Sequence, residues 1–168
     1  MKTTKEIKEF LSESNKIEEV YDKDSLQQAI YAWEYLIKQK SLTAGVILRT
    51  HKILMLHQNL LPNEKGYFRT QQVWIGFREG LRWEKIPLAI DQWVLNVKDL
   101  LKNKTKEDSQ RTLERIIKDH HVKYEHIHGF MDGNGRTGRM FMNWERIQVG
   151  LPILIIKAKE RQKYYKWF

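Results

Sequence analysis

Apolar positions recur at intervals of three and four along most of the chain, which is the spacing of helices that bury one face. Five stretches show this pattern most clearly, and each predicts a helix. They begin near residues 24, 43, 87, 107 and 136 and end near residues 37, 54, 101, 122 and 148. Asp24 or Ser25 is expected to cap the first of these helices and Thr43 the second.

Two stretches interrupt the helical pattern. Residues 62–80 contain one proline and three glycines around a Val-Trp-Ile run, which predicts a short β-hairpin or flap. Residues 128–138 have the sequence HGFMDGNGRTG and hold four of the nine glycines in the chain. Helical spacing returns directly afterwards. This glycine-rich loop is therefore expected to lead into the N-terminus of a helix.

Composition narrows the class of protein. With 168 residues, of which 41% are hydrophobic and 11% aromatic, the chain is long enough for one domain with a real core. It has no cysteine, which excludes disulfides, thiol nucleophiles and cysteine-based zinc sites. Its longest apolar run, residues 151–156, is too short to span a membrane, and its first residues lack the apolar stretch of a signal peptide. These features predict a cytoplasmic protein without a membrane partner.

The formal charge is +9, and about +4 of it lies in the last twelve residues. Two interpretations of this basic tail stay open. It could bind nucleic acid, with Tyr164, Tyr165 and Trp167 stacking on bases. It could also be the solvated face of a terminal helix, which is the more common situation and the favoured one.

The glycine-rich loop has the residues for phosphate chemistry. Glycines let backbone N–H groups surround a small anion, and a helix N-terminus adds the positive end of its dipole. Arg136 and Arg139 are three residues apart, so both are expected on one face of the first helical turn. Asp132 is an oxygen ligand suited to Mg²⁺, and His128 is a candidate general base. The segment therefore predicts a reaction at a phosphate ester.

Other interpretations of the same residues were weighed. Asp132 to Gly135 resembles the start of a calcium loop, but Arg136 at the fifth position and Asn143 at the closing position do not fit one. The phosphate loop with a Gly-Lys ending is absent from the sequence. Four histidines could suggest zinc but lack the HExxH spacing; they are His120, His121, His126 and His128. A purely structural glycine loop is the remaining alternative.

Residues 128–139 resemble the signature of the Fic (Fido-domain) family, H-P-F-x-D/E-G-N-G-R-x-x-R. Every diagnostic position matches except Gly129, where the family usually has proline. Residues 66–70 and 73–76 are similar to the family's flap, and Tyr164-Tyr165 resembles the tyrosine pair of its nucleotide pocket. The resemblance covers residues 43–168 as the Fido domain and leaves residues 1–42 as N-terminal helices, with the whole chain forming one compact unit.

The resemblance implies an all-α, Fic-type helical bundle with a short β-hairpin flap over the active site, formed by Val73, Trp74, Ile75 and Gly76. It implies a nucleotidyltransferase that moves AMP from ATP to a Tyr, Ser or Thr hydroxyl of a target protein or of itself. His128 would be the catalytic base, Asp132 would hold Mg²⁺, and Phe130 would anchor the loop. The residues implied to bind ATP and its phosphates are Asp132, Gly133, Asn134, Gly135, Arg136, Thr137, Gly138, Arg139, Tyr164 and Tyr165.

A second motif implies regulation. Residues 14–19, Ser-Asn-Lys-Ile-Glu-Glu, resemble the inhibitory helix motif S/T-x-x-x-E-G/N, although Glu19 departs from the expected Gly or Asn. By this resemblance Ser14 and Glu18 are inhibitory, and Glu18 pairs with Arg139. The alternatives are transfer of another nucleotide or phosphate group, removal of AMP by the same site, an ordinary acidic helix at residues 14–19, and a basic module that binds nucleic acid.

Overall fold

The structure is a computed structural model that describes residues 4–76 and 78–168, so the first three residues of the predicted segment 1–42 lie outside it. In chain order its elements are α1 (Lys5–Ile17), α2 (Lys23–Leu36), α3 (Ala44–Leu54), β1 (Trp74–Ile75), β2 (Arg78–Glu79), α4 (Ile86–Asn103), α5 (Gln110–Ile127), α6 (Asn134–Gln148) and α7 (Arg161–Tyr165). Single 3-10 turns cover Pro62–Glu64, Trp83–Lys85 and Ala158–Glu160. The predicted helical fold with a small hairpin is confirmed.

The helix caps test two of the predicted starts. Thr43 precedes α3, and its side chain accepts a hydrogen bond from the backbone N–H of Val46, as predicted. The cap of α2 is Asp22, so the prediction of Asp24 or Ser25 was wrong. Asp22 accepts from the backbone N–H and from the hydroxyl of Ser25, at 2.7 and 2.6 Å, which makes Ser25 a donor within the first turn.

The two helices on either side of the glycine-rich loop are longer than predicted. α5 continues to Ile127 because Tyr124 and Ile127 extend its buried face beyond a run of polar residues. α6 begins at Asn134, two residues before its predicted start. Its N-cap, Gly133, has a φ of 79°, a left-handed conformation that glycine adopts without steric cost. The loop between these helices is therefore shorter and more sharply turned than expected.

One hydrophobic core joins the N-terminal helices to the rest of the chain. α2 packs against α3, α4 against α5, α5 against α6, and α1 against both α2 and α6. Phe10 of α1 meets Trp33 of α2 edge to face, with ring centroids 5.5 Å apart. Tyr124 of α5 contacts Trp93 of α4 and Phe141 of α6. This packing fixes the ends of α1, α5 and α6 close to one another.

The basic tail contacts α1 instead of presenting one free cationic surface. Three contacts join residues 157–168, here called the C-terminal segment, to glutamates of α1 and of the turn after it: Lys157 with Glu9, the backbone N–H of Ala158 with Glu13, and Arg161 with Glu19. Tyr164 is 3% exposed, so its ring is not free to stack on a base. No helix within residues 4–76 and 78–168 is both long and apolar enough to cross a membrane.

Candidate active site

A cavity of about 200 Å³ lies where α1, α5, α6, the hairpin and the C-terminal segment meet. The residues named from the sequence that line it are Glu18, Ile75, His128, Gly135, Arg139, Tyr164 and Tyr165. The remaining loop residues named from the sequence do not line this cavity; their side chains hold the loop or point elsewhere. The structure thus brings the end of α1, which is far away in sequence, to the glycine-rich loop.

The loop is closed by its own side chains. The side-chain amide of Asn134 accepts a hydrogen bond from the backbone N–H of Phe130 and donates one to its carbonyl, both at 2.9 Å. Phe130 is fully buried, which confirms its predicted role as the loop's anchor. Because the amide of Asn134 is used in this way, a phosphate could meet Asn134 only through its backbone N–H. The expected contact of Asn134 with a phosphate stays a prediction, through that N–H.

His51 of α3 hydrogen-bonds to the glycine-rich loop and packs against its anchor, Phe130. Its Nδ1 accepts a hydrogen bond from the backbone N–H of Gly66, so its Nε2 carries the proton and donates to the carbonyl of Asp132; both bonds are 2.9 Å long. The ring stacks on Phe130 with centroids 3.7 Å apart. Burial lowers the pKa of His51 to about 4, so the ring is neutral at pH 7. No motif in the sequence marks this histidine as part of the site.

Arg69 connects the loop to the base of the hairpin. Its backbone N–H donates to the carbonyl of Gly129 and its Nε donates to that of His128, at 2.9 and 2.8 Å. Its two terminal nitrogens donate to the carbonyls of Gln71 and Leu81, which flank the strands. The side chain is buried, and burial lowers the pKa of this arginine. Arg69 therefore sets the position of His128 relative to the hairpin.

The N-terminus of α6 has the donors that an anion requires. No side chain among the described residues caps this helix, and the first N–H groups of a helix have no partner within it. Nε and Nη1 of Arg136 are buried and have no hydrogen-bond partner among the described residues. Its Nη2 donates to Asp132 at 3.1 Å. This set of donors fits a phosphate group.

Asp132 is the one predicted metal ligand. Its side chain is 53% exposed, and its oxygens accept from the backbone N–H of Gly133 and from Arg136. Within residues 4–76 and 78–168 no group of three or more His, Cys, Asp or Glu side chains is placed to hold a metal ion. A half-exposed carboxylate beside a phosphate-binding helix end fits Mg²⁺, which usually takes one or two carboxylates together with phosphate oxygens and water.

Arg139 is the most extensively bonded group of the site. It is 1% exposed, and its Nη2 donates to Oε1 of Glu18 at 2.7 Å and to the carbonyl of Ser14 at 2.9 Å. Its Nε donates to the hydroxyl of Ser14 at 2.9 Å, and its Nη1 donates to the hydroxyl of Tyr164 at 3.1 Å. Burial would lower the pKa of Arg139, but Tyr164, Glu18 and Glu125 outweigh it and raise the pKa, so the guanidinium stays charged.

Gly135 makes the contact between Glu18 and Arg139 possible. A side chain at this position would collide with the Glu18 carboxylate and would lie 3.0 Å from Nη1 of Arg139. The glycine is therefore required for close approach, in addition to any role that its N–H has toward an anion.

Thr137 and Gly138 belong to the packing between α5 and α6. The Thr137 hydroxyl bonds the carbonyls of Gly133 and Asn134 and the hydroxyl of Tyr124. A side chain at Gly138 would collide with Glu125. Neither residue lines the cavity, and a contact of either with a phosphate stays a prediction.

His128 ends α5 and faces the cavity. It has a φ of 47°, in the left-handed region that non-glycine residues rarely adopt. Burial lowers the pKa of its imidazole, which keeps the ring neutral at pH 7 and able to accept a proton. The strained backbone is held by the Arg69 bond to the His128 carbonyl.

Sequence reasoning missed four residues of the cavity wall: Arg78, Glu125, His126 and Phe168. Glu125 and His126 come within one turn of His128 on the same helix, which is the signal that would have found them. Nothing in the local sequence marks Arg78 or Phe168, because both reach the cavity through tertiary packing of the hairpin and the chain end.

Comparison with known proteins agrees with this architecture. Residues 42–145 match the model of the Fic/DOC family. Among curated proteins, the chain is 31% identical over 133 residues to "Protein adenylyltransferase Fic" of Drosophila ananassae and 33% identical over 132 residues to the protein of that name in Drosophila melanogaster. These matches cover 77% of the chain and 24% and 25% of the two relatives. The chain therefore spans about a quarter of the length of the curated relatives it matches.

Solved structures share the fold. A Fic-domain-containing signaling protein from Bacteroides thetaiotaomicron superposes with a TM-score of 0.78 at 18% identity, over 95% of this chain and 69% of that one. Fic-1 from C. elegans superposes with a TM-score of 0.69 at 19% identity, over 96% of this chain and 54% of that one. The fold and site define a helical protein with a glycine-rich loop beneath a hairpin. With the family match over more than half its length, the chain belongs to the Fic/DOC family.

Proposed function

We propose that this chain transfers AMP from ATP to a hydroxyl group of a target protein and that its own α1 inhibits the transfer. The observation that carries the proposal is that His128, the N-terminus of α6 and Arg139 border one cavity. A base, an anion site and a buried cation at one place are what nucleotidyl transfer to a hydroxyl needs. The curated relatives named protein adenylyltransferase support the same activity.

In the proposed reaction, a hydroxyl oxygen of the target attacks the α-phosphorus of ATP. The new oxygen–phosphorus bond forms as the bond to the bridging oxygen breaks, and pyrophosphate leaves. His128 accepts the hydroxyl proton, which its neutral ring permits. The target chain would extend along β1 and β2, because a hairpin edge offers unpaired backbone groups for strand addition.

The loop would position the phosphates. Backbone N–H groups from Gly133 to Gly135 and the unpaired donors of Arg136 would stabilise the negative charge that develops at the α-phosphate. Asp132 would hold Mg²⁺, which neutralises charge on the phosphate oxygens when bound. Arg139 would contact the outer phosphates once Glu18 no longer occupies its Nη2.

The proposed inhibition rests on the state of Arg139. Glu18 and Ser14 occupy its Nε and Nη2, and the Glu18 carboxylate forms part of the cavity wall. The cavity, at about 200 Å³, is smaller than the roughly 300–1,000 Å³ of typical ligand pockets. Residues 1–42 would thus be the regulatory part of the chain and residues 43–168 the catalytic part.

The test is to incubate the wild type, Glu18→Gly and His128→Ala in the Glu18→Gly background with ATP and Mg²⁺. Intact-mass spectrometry then measures AMP adducts on the protein itself. Glu18→Gly is expected to raise the rate about 10- to 100-fold, because one charge-assisted hydrogen bond is worth about 1.5–3 kcal/mol. His128→Ala should abolish the adduct. Equal rates in the wild type and Glu18→Gly would refute the inhibition.

Glu19→Gly is the matched control for Glu18→Gly. It removes the neighbouring carboxylate, which pairs with Arg161 at the surface and does not contact Arg139. Its activity should stay at the wild-type level. If Glu19→Gly activates as strongly as Glu18→Gly, activation reflects general loosening of α1 and the specific pairing of Glu18 with Arg139 is not its cause.

A further inference from the structure

Glu125 lines the cavity but belongs neither to the glycine-rich loop nor to the contact between Glu18 and Arg139. It lies on α5, one turn before His128, and lines the same cavity as Arg139 and Tyr164. It comes close to α6 only because Gly138 lacks a side chain, since any side chain there would collide with Oε1 of Glu125. Because residue 138 is a glycine, there is room for this carboxyl group between α5 and α6 at the cavity wall.

One oxygen of this carboxyl group has no hydrogen-bond partner within the described part of the chain. Oε1 is buried and makes no hydrogen bond to any residue among 4–76 and 78–168. Buried polar atoms are nearly always satisfied, so an unsatisfied acceptor in a binding cavity calls for a donor on the ligand. Burial raises the pKa of Glu125 to about 8, which reports the same lack of stabilising partners for its charged form.

We propose that Glu125 accepts a hydrogen bond from a ribose hydroxyl of the bound nucleotide, so that the site prefers ribonucleotides to deoxyribonucleotides. This inference rests on the proposed function. The phosphates of ATP carry no proton at neutral pH, so they offer no donor to this unpaired acceptor. The faces of the base are apolar and suit the exposed rings of Tyr165 and Phe168, which line the same cavity.

The donors that remain on ATP are the ribose hydroxyls and the 6-amino group of the base. A carboxylate that accepts from a ribose hydroxyl is a recurrent arrangement in dinucleotide-binding proteins. Gly135, Arg139, Tyr165 and Phe168 line the same cavity as Glu125. A nucleotide with its phosphates at the loop and its base on the aromatic rings would bring its sugar into the cavity that Glu125 lines.

The experiment compares ATP with 2′-deoxy-ATP and 3′-deoxy-ATP in the Glu18→Gly background. We expect to compare two quantities for each nucleotide. The first is the rate of AMP transfer by Glu18→Gly protein. The second is the dissociation constant, which calorimetry measures on the double variant His128→Ala/Glu18→Gly. With Glu125 present, at least one deoxynucleotide should be about tenfold poorer than ATP, the effect of losing one hydrogen bond. Glu125→Met, which has similar length and no comparable acceptor, should reduce that ratio to about one. Glu125→Gln keeps one acceptor oxygen and should retain part of the preference.

The control variant is Asp119→Asn, which removes one exposed carboxylate from the same helix outside the cavity. It should leave both ratios unchanged. Ratios that are the same with Glu125, Gln and Met at this position overturn the proposal. An equal loss of activity with all three nucleotides in Glu125→Met also overturns the proposal. That result would mean that Glu125 acts on Arg139 and not on the ribose. ITP, which lacks the 6-amino group of the base, is a further probe. If Glu125 distinguishes ATP from ITP but not from the two deoxynucleotides, the proposal is also overturned.

The two proposals fail in different ways. If Glu18→Gly protein binds ATP but transfers no AMP, the proposed function fails, while the ratio of dissociation constants still tests the role of Glu125. If AMP transfer occurs with equal efficiency from ATP and both deoxynucleotides, the function stands and the role of Glu125 is refuted. If no nucleotide binds to any variant, both proposals are refuted.

Discussion

A single backbone angle explains the departure of Glu19 from the inhibitory motif. Glu19 has a φ of 58° at the end of α1. Its N–H bonds the carbonyl of Lys16, and the N–H of Val20 bonds that of Asn15, which is the Schellman arrangement that ends many helices. The position therefore favours Gly or Asn, the residues expected there by resemblance. Here the chain holds a glutamate in a conformation that costs it free energy.

Glu19→Gly should increase the free energy of unfolding by about 0.5–1 kcal/mol, because glycine adopts this angle without steric strain. The lost pair with Arg161 is exposed and offsets little of the gain. Urea denaturation measures the change. Glu19→Ala is the control, since it also removes the pair but keeps a Cβ, and it should be no more stable than the wild type. Equal midpoints for Gly and Ala would contradict the strain.

At the scale of elements, the hairpin and the glycine-rich loop form one unit through Arg69. This side chain donates to carbonyls on both sides of the hairpin and to that of His128, with no carboxylate partner. The hairpin itself has only two residues in each strand, too few to be stable alone. Its position over the cavity therefore depends on a buried arginine and not on its own strand pairing.

Arg69→Met should lower the free energy of unfolding by about 2–3 kcal/mol, because it leaves buried carbonyls without donors. It should also reduce AMP transfer in the Glu18→Gly background, since His128 loses a support for its strained backbone. Thermal unfolding and transfer rate are the measurements. Arg82→Met is the control, because Arg82 is exposed and pairs with Glu84 at the surface. If both variants have wild-type stability, Arg69 does not organise the unit.

At the scale of the whole molecule, buried titratable groups set the pH range of stability. Burial lowers the pKa of His51 to about 4 and that of His121 to about 3. Between those values and pH 6.5, the unfolded chain binds protons that the folded chain does not, so stability rises with pH. Glu125 acts in the opposite sense. Burial raises its pKa to about 8, so between pH 4.5 and 8 only the folded chain keeps its proton and stability falls with pH.

The free energy of unfolding should therefore be greatest near pH 6.5. Below it, the lowered pKa values of the buried histidines outweigh the raised pKa of Glu125, so the free energy of unfolding rises with pH. Above it, Glu125 contributes a decline that continues toward pH 8. Urea midpoints from pH 4.5 to 8.5 measure the profile. Glu125→Gln should flatten the upper part and leave the lower part rising; an unchanged decline in this variant would contradict the assignment.

The sequence by itself determined the local features. Helical spacing, the cap at Thr43, the hairpin, the glycine-rich loop and the anchor at Phe130 could all be predicted, because each depends on residues a few positions apart. The end of α5 could not be predicted. A run of polar residues interrupts its apolar spacing before Tyr124 and Ile127, which continue the buried face. The cap of α2 was misplaced because several residues near its start have side chains suited to capping.

Only the tertiary structure decided which side chains meet. His51 belongs to no motif, Glu125 is marked only by its place one turn before His128, and Arg69 is marked only by its resemblance to the flap; none of these signals predicts the contacts that these residues make. Tertiary packing also placed the basic tail against glutamates of α1 and used the side chains of Asn134 and Thr137 for hydrogen bonds within the loop. The physical reason is that a motif specifies residue types, while burial and hydrogen-bond geometry specify which of their atoms remain free.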